Sequence, residues 1–230
     1  MNPNINLVDL AIGFIPVALV LFLMWRAKQE VKKASVAMIR MLLQLMLIGY
    51  FLLFVFEQPS PTLTVFLLTI MMLLASWLAL NVQNRVTIVL YYHALVSIFV
   101  GGGSILLITT QGVLDVEPWY QPRYLIPLAG MIFASCMTAI SLGLERYEAE
   151  LQHKNQGQAK DRAFRAAMIP VVNSLLSVGV VSLPGMMTGQ ILSGVEPYIA
   201  ARYQIMVMCM IFSSTGLTVF LFLKLHCRVK

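Results

Sequence analysis

The sequence predicts an all-α integral membrane protein with seven transmembrane helices, its N-terminus outside the cell and its C-terminus in the cytoplasm. Composition is the first reason: 59% of the 230 residues are hydrophobic and 11% are charged, whereas a soluble domain carries about 25% charged residues. The second reason is that apolar residues form runs of about 20, enough to cross a bilayer core as a helix. These runs lie at about 8–25, 36–56, 62–80, 87–109, 124–143, 169–191 and 203–223.

The third reason is the distribution of positive charge. With the N-terminus outside, 14 of the 16 Lys and Arg residues fall in the predicted inner loops or tail, as the positive-inside rule requires. These are Arg26, Lys28, Lys32, Lys33, Arg40, Arg85, Arg146, Lys154, Lys160, Arg162, Arg165, Lys224, Arg228 and Lys230. Only Arg123 and Arg202 fall outside. Because topology accounts for the net charge of +6, we expect no nucleic acid as a partner.

The first four spans contain few groups that could act chemically. Span one is not typical of a cleavable signal, because it lacks a basic region before its apolar stretch and has Asp9 near its start. Arg40 lies about one turn inside span two, where it can reach the interface, and Gln44 follows on the same face. His93 lies in span four. Ionisable groups at membrane depth are functional candidates, but packing or anchoring at the interface accounts for each of these equally well.

The longest polar segment, 145–168, lies between spans five and six, on the cytoplasmic side of the predicted topology. Glu150 with Lys154, and Asp161 with Arg165, have the four-residue spacing that supports a helix. We expect Gly157 to divide the segment into two pieces, the second of which has an apolar face. The segment is therefore predicted to form a short amphipathic helix, which either lies on the inner leaflet or docks a cytoplasmic partner.

Span six contains the stretch SLPGMMTGQIL at 182–192, which a helix facing only lipid would not need. Pro184 is expected to kink the helix and to free the carbonyl of Val180. Gly185 and Gly189 have the spacing that lets two helices approach closely. Irregular backbone at membrane depth needs cover from protein or from a water-filled cavity. The stretch is therefore predicted either to line a transport route or to pack closely at a kink.

The predicted route combines polar side chains, thioethers and helix-distorting residues. Its members are Asn173, Pro184, Gly185, Met186, Met187, Thr188, Gly189, Gln190, Gln204, Arg40 and Gln44. The candidate metal ligands are weak: the thioethers of Met186 and Met187, and the carboxylate of Asp9. Thioethers and amides suit a transient site, but soft sulfur ligands do not by themselves select iron.

No catalytic constellation is recognisable in the sequence. The glycine-rich run 101–104 lacks the lysine of a phosphate-binding loop, and HExxH, GxSxG and zinc-spaced cysteines are absent. Cys136, Cys209 and Cys227 form no disulfide framework. We therefore predict that the chain is not an enzyme and binds no cofactor, so that driving energy comes from an ion gradient or another subunit. A retinal protein is set aside because span seven has no lysine near its middle.

Three segments resemble the FetB-like family of ABC transporter permeases. LPGMMTGQILSGVEPYIAARYQI (Leu183–Ile205) closely resembles the family signature, while RMLLQLMLIG (Arg40–Gly49) and IPLAGM (Ile126–Met131) are similar to its segments in spans two and five. The likeness covers most of the chain in the same order, and the family includes bacterial iron exporters and plant aluminium-tolerance permeases. Two departures stand out: the polar segment after Glu145 is shorter, and Ala134-Ser135 stands where Gly-Asn is common.

The resemblance implies a single permease domain over residues 1–230, in an ABC exporter of the plasma (bacterial inner) membrane. It implies a homodimer that pairs with separate cytoplasmic ATPase subunits, which bind the ATP, and a cargo of iron or another metal, free or chelated. It also favours the docking interpretation of the polar segment, at Glu145, Arg146, Arg162, Phe164 and Arg165. Two alternatives stay open: a gradient-driven secondary transporter, and a membrane scaffold or sensor without transport.

Overall fold

The computed structural model describes residues 11–80, 87–152 and 155–227, with the side chain of residue 227 left out. The chain divides into two compact units, Met1–Gln58 and Pro59–Lys230, and the single permease domain over residues 1–230 stays a prediction. In the first unit, helix α1 (Phe14–Arg26) packs against helix α2 (Val31–Glu57). Within the described ranges the regular elements are helices, and the extended pairing is a single isolated bridge between Val178 and Ser182.

The second unit is a bundle of helices whose starts follow ordinary capping chemistry. Its helices are α3 (Pro61–Leu78), α4 (Ile88–Val113), α5 (Pro122–Leu151), α6 (Gln156–Ser177), α7 (Gly185–Leu192) and α8 (Pro197–Cys227). Proline opens α3 and α5, where its missing N–H has no helical partner to lose. Thr87 caps α4 by accepting from the N–H of Leu90, and Asn155 caps α6 by accepting from the N–H of Gln158.

Helix α5 lies at the centre of this bundle. It packs against α3, α4, α6 and α8, and it contributes the largest share of fully buried side chains. These include Leu128, Ile132, Ile140, Leu144 and Tyr147. Helices α5 and α6 run antiparallel, since Glu150 pairs with Arg162 near the turn and a Cβ on Gly143 would contact Ala167 further along. We call the end of the bundle where α5 ends and α6 begins the charged end.

Five described helices are long and apolar enough to cross a membrane: α2, α3, α4, α5 and α8. They confirm the all-helical membrane class and coincide with predicted spans two, three, four, five and seven. Helix α1 has 13 residues, fewer than a full crossing needs, and the start of the first predicted run lies outside the described residues. The count of seven spans, the outer N-terminus and the cytoplasmic C-terminus stay predictions.

The run predicted as span six, 169–191, is not one kinked helix, and that expectation is wrong. Helix α6 ends at Ser177, and α7 begins only at Gly185 with Pro184 as its N-cap. The helix ends early because Gly179 takes a left-handed backbone (φ +82°), the usual glycine stop just beyond a helix. The N–H groups of Val180, Val181 and Ser182 all donate to the carbonyl of Ser177, so the turn satisfies its own backbone.

The polar segment 145–168 is also built differently from the prediction of a separate short helix. Its first part is the end of α5 and its last part is the start of α6, so both pieces belong to long helices. Gly157 does not break the segment but lies in the first turn of α6, because the Asn155 cap fixes the helix start two residues earlier. Lys154, the predicted partner of Glu150, lies outside the described residues.

Candidate functional site

A cavity of about 330 Å³ lies between α5, α6 and α8. Its lining is dominated by small, hydroxyl-bearing and apolar side chains and includes no charged group. The lining residues are Ala134, Ser135, Thr138, Ala139, Ala167, Pro170, Val171, Ser174, Met208, Ile211 and Thr215. Both residues of the Ala134-Ser135 departure from the family pattern therefore face this cavity.

Thr215 is the most informative residue of the cavity. Its side chain is 3% exposed, yet its hydroxyl has no hydrogen-bond partner among the described residues. Hydroxyls in membrane helices usually bond to the carbonyl one turn back, as Thr138 does with Ala134 at 2.9 Å. A buried polar atom without a partner is costly in a bilayer. Thr215 therefore brings a hydroxyl with unused hydrogen-bonding capacity to the wall of the cavity.

The described lining of the cavity offers only weak ligands for a bound guest. Ser135, Thr138, Ser174 and Thr215 offer hydroxyl oxygens, and the buried Met208 offers a thioether. Such ligands replace part of a hydration shell without holding a cation tightly. Among the described residues, no group of three or more His, Cys, Asp and Glu side chains could hold a metal ion. The arrangement fits weak, reversible binding of a polar guest.

Most of the predicted route residues lie elsewhere. Asn173 is exposed on α6 and is not part of the cavity lining, whereas its helical neighbours Pro170 and Ser174 are. The stretch predicted to line the route forms α7 and the turn before it, and none of its residues is among the described residues that line the cavity. Arg40 and Gln44 lie on α2 in the first unit. The weak metal candidate Asp9 lies outside the described residues.

Helix α7 carries the predicted stretch in a mixed environment. Met186 packs against the core, while Met187 is half-buried. The Thr188 hydroxyl donates to the carbonyl of Pro184 at 3.1 Å. The amide oxygen of Gln190 is buried without a partner among the described residues, as is that of Gln204 on the adjacent helix α8. The contact between α7 and α8 is therefore a second buried polar region, besides the cavity, with two unused hydrogen-bond acceptors.

The predicted close helix approach at Gly185 and Gly189 is not found. A Cβ built on either glycine meets no described atom within 4 Å. Close approach occurs instead in the glycine run of α4, where a Cβ on Gly101 would lie 2.5 Å from Thr218 Oγ1 and 2.7 Å from its backbone nitrogen. A Cβ on Gly102 would lie 2.9 Å from Ile132 Cγ2. The run that lacks a nucleotide motif is therefore a packing element between α4, α5 and α8.

An aromatic cluster near the charged end was not anticipated. The ring centroids of His93 and His226 are 6.4 Å apart, and Tyr147 contacts His226 edge-on at 5.6 Å. Phe222 stacks on His226 at 5.9 Å. His93 was singled out from the sequence, but nothing in the sequence pairs it with a residue 133 positions later. The cluster joins α4, α5 and α8.

The predicted docking residues are split between the two flanks of α6. Arg146, Arg162 and Arg165 line a groove of about 490 Å³ together with Ala166 and Ile169, which we call the arginine groove. Phe164 lies in a second groove of about 560 Å³ that we call the phenylalanine groove, and Arg165 lines both grooves. Its lining residues are Gly157, Lys160, Asp161, Phe164, Arg165 and Phe220. Glu145 is exposed on α5 and lines neither groove.

Glu150 organises the charged end, a role the sequence did not reveal. Its carboxylate is 9% exposed and forms ion pairs with Arg146 at 2.5 Å and with Arg162 at 3.6 Å. One carboxylate thus links α5 to α6. The predicted pairing of Glu150 with Lys154 stays a prediction, because Lys154 lies outside the described residues. The sequence did not reveal the pairing with Arg162, because that residue lies on another helix and no spacing along the chain connects it with Glu150.

Comparison with known proteins identifies the relatives of this chain. The model of the uncharacterised protein family UPF0014 matches residues 7–161 and 157–229. The chain is 36% identical to a UPF0014 membrane protein of Synechocystis over 78% of its length and 75% of the relative. It is 30% identical to the probable iron export permease protein FetB of Escherichia coli over 94% of its length and 88% of the relative.

A plant protein is also related: Aluminum Sensitive 3 of Arabidopsis thaliana is 33% identical over 74% of this chain and 67% of the relative. No solved structure matches. The relatives and the apolar helices confirm a multi-pass protein of the plasma (bacterial inner) membrane. They also confirm the resemblance to the FetB-like permeases, and the chain belongs to the UPF0014 family.

Proposed function

We propose that this chain is the permease subunit of an exporter that moves iron or another metal, free or chelated, out of the cytoplasm, with ATP hydrolysed by a separate subunit. One observation carries the proposal: a hydroxyl-lined cavity lies inside a chain that is similar, over 94% of its length, to a probable iron export permease. The chain itself contributes the route and no nucleotide site.

The chemistry of the cavity supports transport rather than sensing. Transport requires binding that is favourable enough for entry and weak enough for exit. Hydroxyl and thioether ligands meet both conditions, because they can replace water around a cation without the long residence that carboxylates or thiolates would impose. Since no carboxylate is among the described lining residues, the cavity also offers no obvious proton carrier for a gradient-driven cycle.

The open side of the cavity supports a homodimer. Ala134, Thr138, Pro170 and Ser174 are exposed along the α5–α6 face. Polar side chains facing hydrocarbon are unfavourable, whereas hydroxyls and small residues are typical of contacts between membrane helices. A second copy laid against this face would cover the hydroxyls and close the cavity into a route between the two chains.

The ATPase is proposed to dock at the charged end. The phenylalanine groove offers an apolar floor, Phe164 and Phe220, with Lys160 and Asp161 at its edge. Charged residues flanking an aromatic anchor are a common make-up of protein interfaces. Of the other residues predicted to dock the ATPase, Arg165 also lines this groove, whereas Arg146 and Arg162 line only the arginine groove and Glu145 lines neither.

Helix α6 connects the docking surface to the cavity. Phe164 and Ser174 lie ten residues apart on it, which is about 15 Å along a helix. Small residues press α6 against α5: Ala163 and Ala167 are buried, and a Cβ on Gly143 would contact Ala167 at 3.5 Å. A displacement imposed at the charged end therefore reaches the cavity wall through one helix.

The test uses inside-out vesicles from the native host, with the chain present or deleted and radioactive ferrous iron supplied outside. ATP should drive iron into vesicles that contain the chain, and this uptake should survive a proton ionophore. Thr215→Val, which is similar in shape, should lower the rate about tenfold, since losing a hydrogen bond of about 1.4 kcal/mol corresponds to that factor.

The matched control is Thr110→Val, because Thr110 is equally buried but donates to the carbonyl of Leu106 outside the cavity. Equal rates in the two variants would contradict the assignment of the route to this cavity. Uptake that the ionophore abolishes while ATP is still present would favour the gradient-driven alternative. Equal uptake with and without the chain would favour a scaffold or sensor.

A further inference from the structure

We propose that the arginine groove binds the phosphodiester headgroup of an anionic phospholipid from the leaflet at the charged end. The inference goes beyond the proposed function and does not depend on it. It concerns the side of α6 next to Arg146 of α5, and Arg165 lies between this groove and the phenylalanine groove because it lines both.

The charge of the groove favours an anionic ligand. Arg146, Arg162 and Arg165 converge on the groove, with Glu150 beneath two of them and Asp161 beside the other end. Three guanidinium groups against two carboxylates leave a net positive charge. Arginine presents a planar set of N–H donors that can bind phosphate oxygens in pairs, so donors remain after the contacts with Glu150 are made.

The order of residues along the groove matches a lipid. Its charged part ends at Arg165, and Ala166 and Ile169 continue the same wall. Ile169 is 56% exposed and lies about 6 Å beyond Arg165 along the helix. A phospholipid presents its phosphate and its first acyl carbons in this order, whereas a soluble ATPase would meet the arginines but leave Ile169 uncovered. The groove therefore fits a lipid better than it fits the partner protein.

The position of α6 is also fixed. A different face of α6 is packed against the core by Ala159, Ala163 and Ala167, which are all buried. On the other wall, Arg146 is held by the carboxylate of Glu150. A site whose donors are already positioned loses less entropy when it binds. Basic pockets between membrane helices at the headgroup level are known to bind anionic lipids.

The experiment measures lipid retained by the purified full chain in native mass spectrometry, after exchange into mixed micelles with phosphatidylglycerol or with phosphatidylcholine. The wild-type chain should retain phosphatidylglycerol in preference to phosphatidylcholine. Arg165→Gln should lower its affinity for phosphatidylglycerol about fivefold, the effect of one basic residue near a charged headgroup. Arg165 is chosen because Arg146 and Arg162 are the groups paired with Glu150, whose loss would disturb the fold.

The matched control is Lys160→Gln, which removes a positive charge from the same helix on its other flank, 5.4 Å from the Phe220 ring. It should retain phosphatidylglycerol like the wild type. Equal retention of the two lipids, or equal losses in the two variants, would overturn the proposal. Inorganic phosphate that displaces the lipid at millimolar concentration would also overturn it, by showing a site for a free anion. Because no ATPase is present, failure here leaves the transport proposal standing.

Discussion

Two glycine-bearing regions of this chain use the same residue for opposite purposes. In α4, Gly101 and Gly102 lie where added Cβ atoms would fall within 3 Å of α8 and α5. Around α7, Gly179 and Gly194 have positive φ angles of 82° and 93°, and Gly185 and Gly189 have nothing within 4 Å of an added Cβ. In the first region glycine brings helices together, and in the second it turns the backbone. The spacing of glycines in the sequence does not by itself distinguish a packing glycine from one that turns the backbone.

The largest effect is expected in the packing region. Gly101→Ala would place a methyl group against the backbone of Thr218, at 2.7 Å from its nitrogen and 2.9 Å from its Cα. Backbone cannot move aside like a flexible side chain, so we expect a loss of about 3 kcal/mol, or about 10 °C in the thermal midpoint of the purified chain in detergent.

Gly103→Ala is the matched control, because Gly103 lies two residues away in the same run with nothing within 4 Å of an added Cβ. It should leave the thermal midpoint unchanged. Equal midpoints for the two variants would mean that α4 does not press on α8 at Gly101.

An intermediate effect is expected in the turning region. Gly179→Ala forces a Cβ into the left-handed conformation that ends α6, which costs about 1 kcal/mol and lowers the midpoint by about 3 °C. Gly185→Ala, at the start of α7, should have no cost, because its surroundings are open. If both variants had the same midpoint as the wild type, Gly179 would not set the end of α6.

The smallest effect is expected at the motif that looked most important in the sequence. Gly189→Leu should change the stability of the chain by less than about 0.5 kcal/mol, because no described atom lies within 4 Å of its Cβ position. The thermal midpoint and the size of the purified particle are the measurements. A loss as large as that of Gly179→Ala would mean that another helix does approach α7 closely.

The sequence predicted the elements that depend on long-range composition. Apolar runs and basic loops predicted five helices that the structure contains, because a bilayer imposes one length on all of them. It did not predict the break after Ser177, because Pro184 is compatible both with a kinked helix and with the start of a new one. Gly179, followed five residues later by a proline, was the available signal.

The candidate site was harder to predict than the helices. Ser135, Ser174 and Thr215 come from three helices, and serine and threonine are common in membrane helices, so no local pattern separates a cavity hydroxyl from one bonded to its own backbone. Ser135 was noticed only as a departure from the family pattern. The grouping of Arg146, Arg162 and Arg165 was partly predicted, because residues spaced three apart on α6 share a face.

Pro170 gives α6 a mechanical property that a straight rod would lack. It lies inside the helix, between the arginines of the charged end and Ser174 in the cavity wall. Because proline has no N–H, the carbonyl of Ala166 does not receive the usual helical hydrogen bond from residue 170. The backbone of α6 therefore bends most easily at Pro170. A bend of about 10° there would swing the end of α6, about 11 Å further on, by about 2 Å. At Ser174 in the cavity wall, about 6 Å beyond Pro170, the same bend moves the backbone by about 1 Å, so a small flexure changes the width of the cavity.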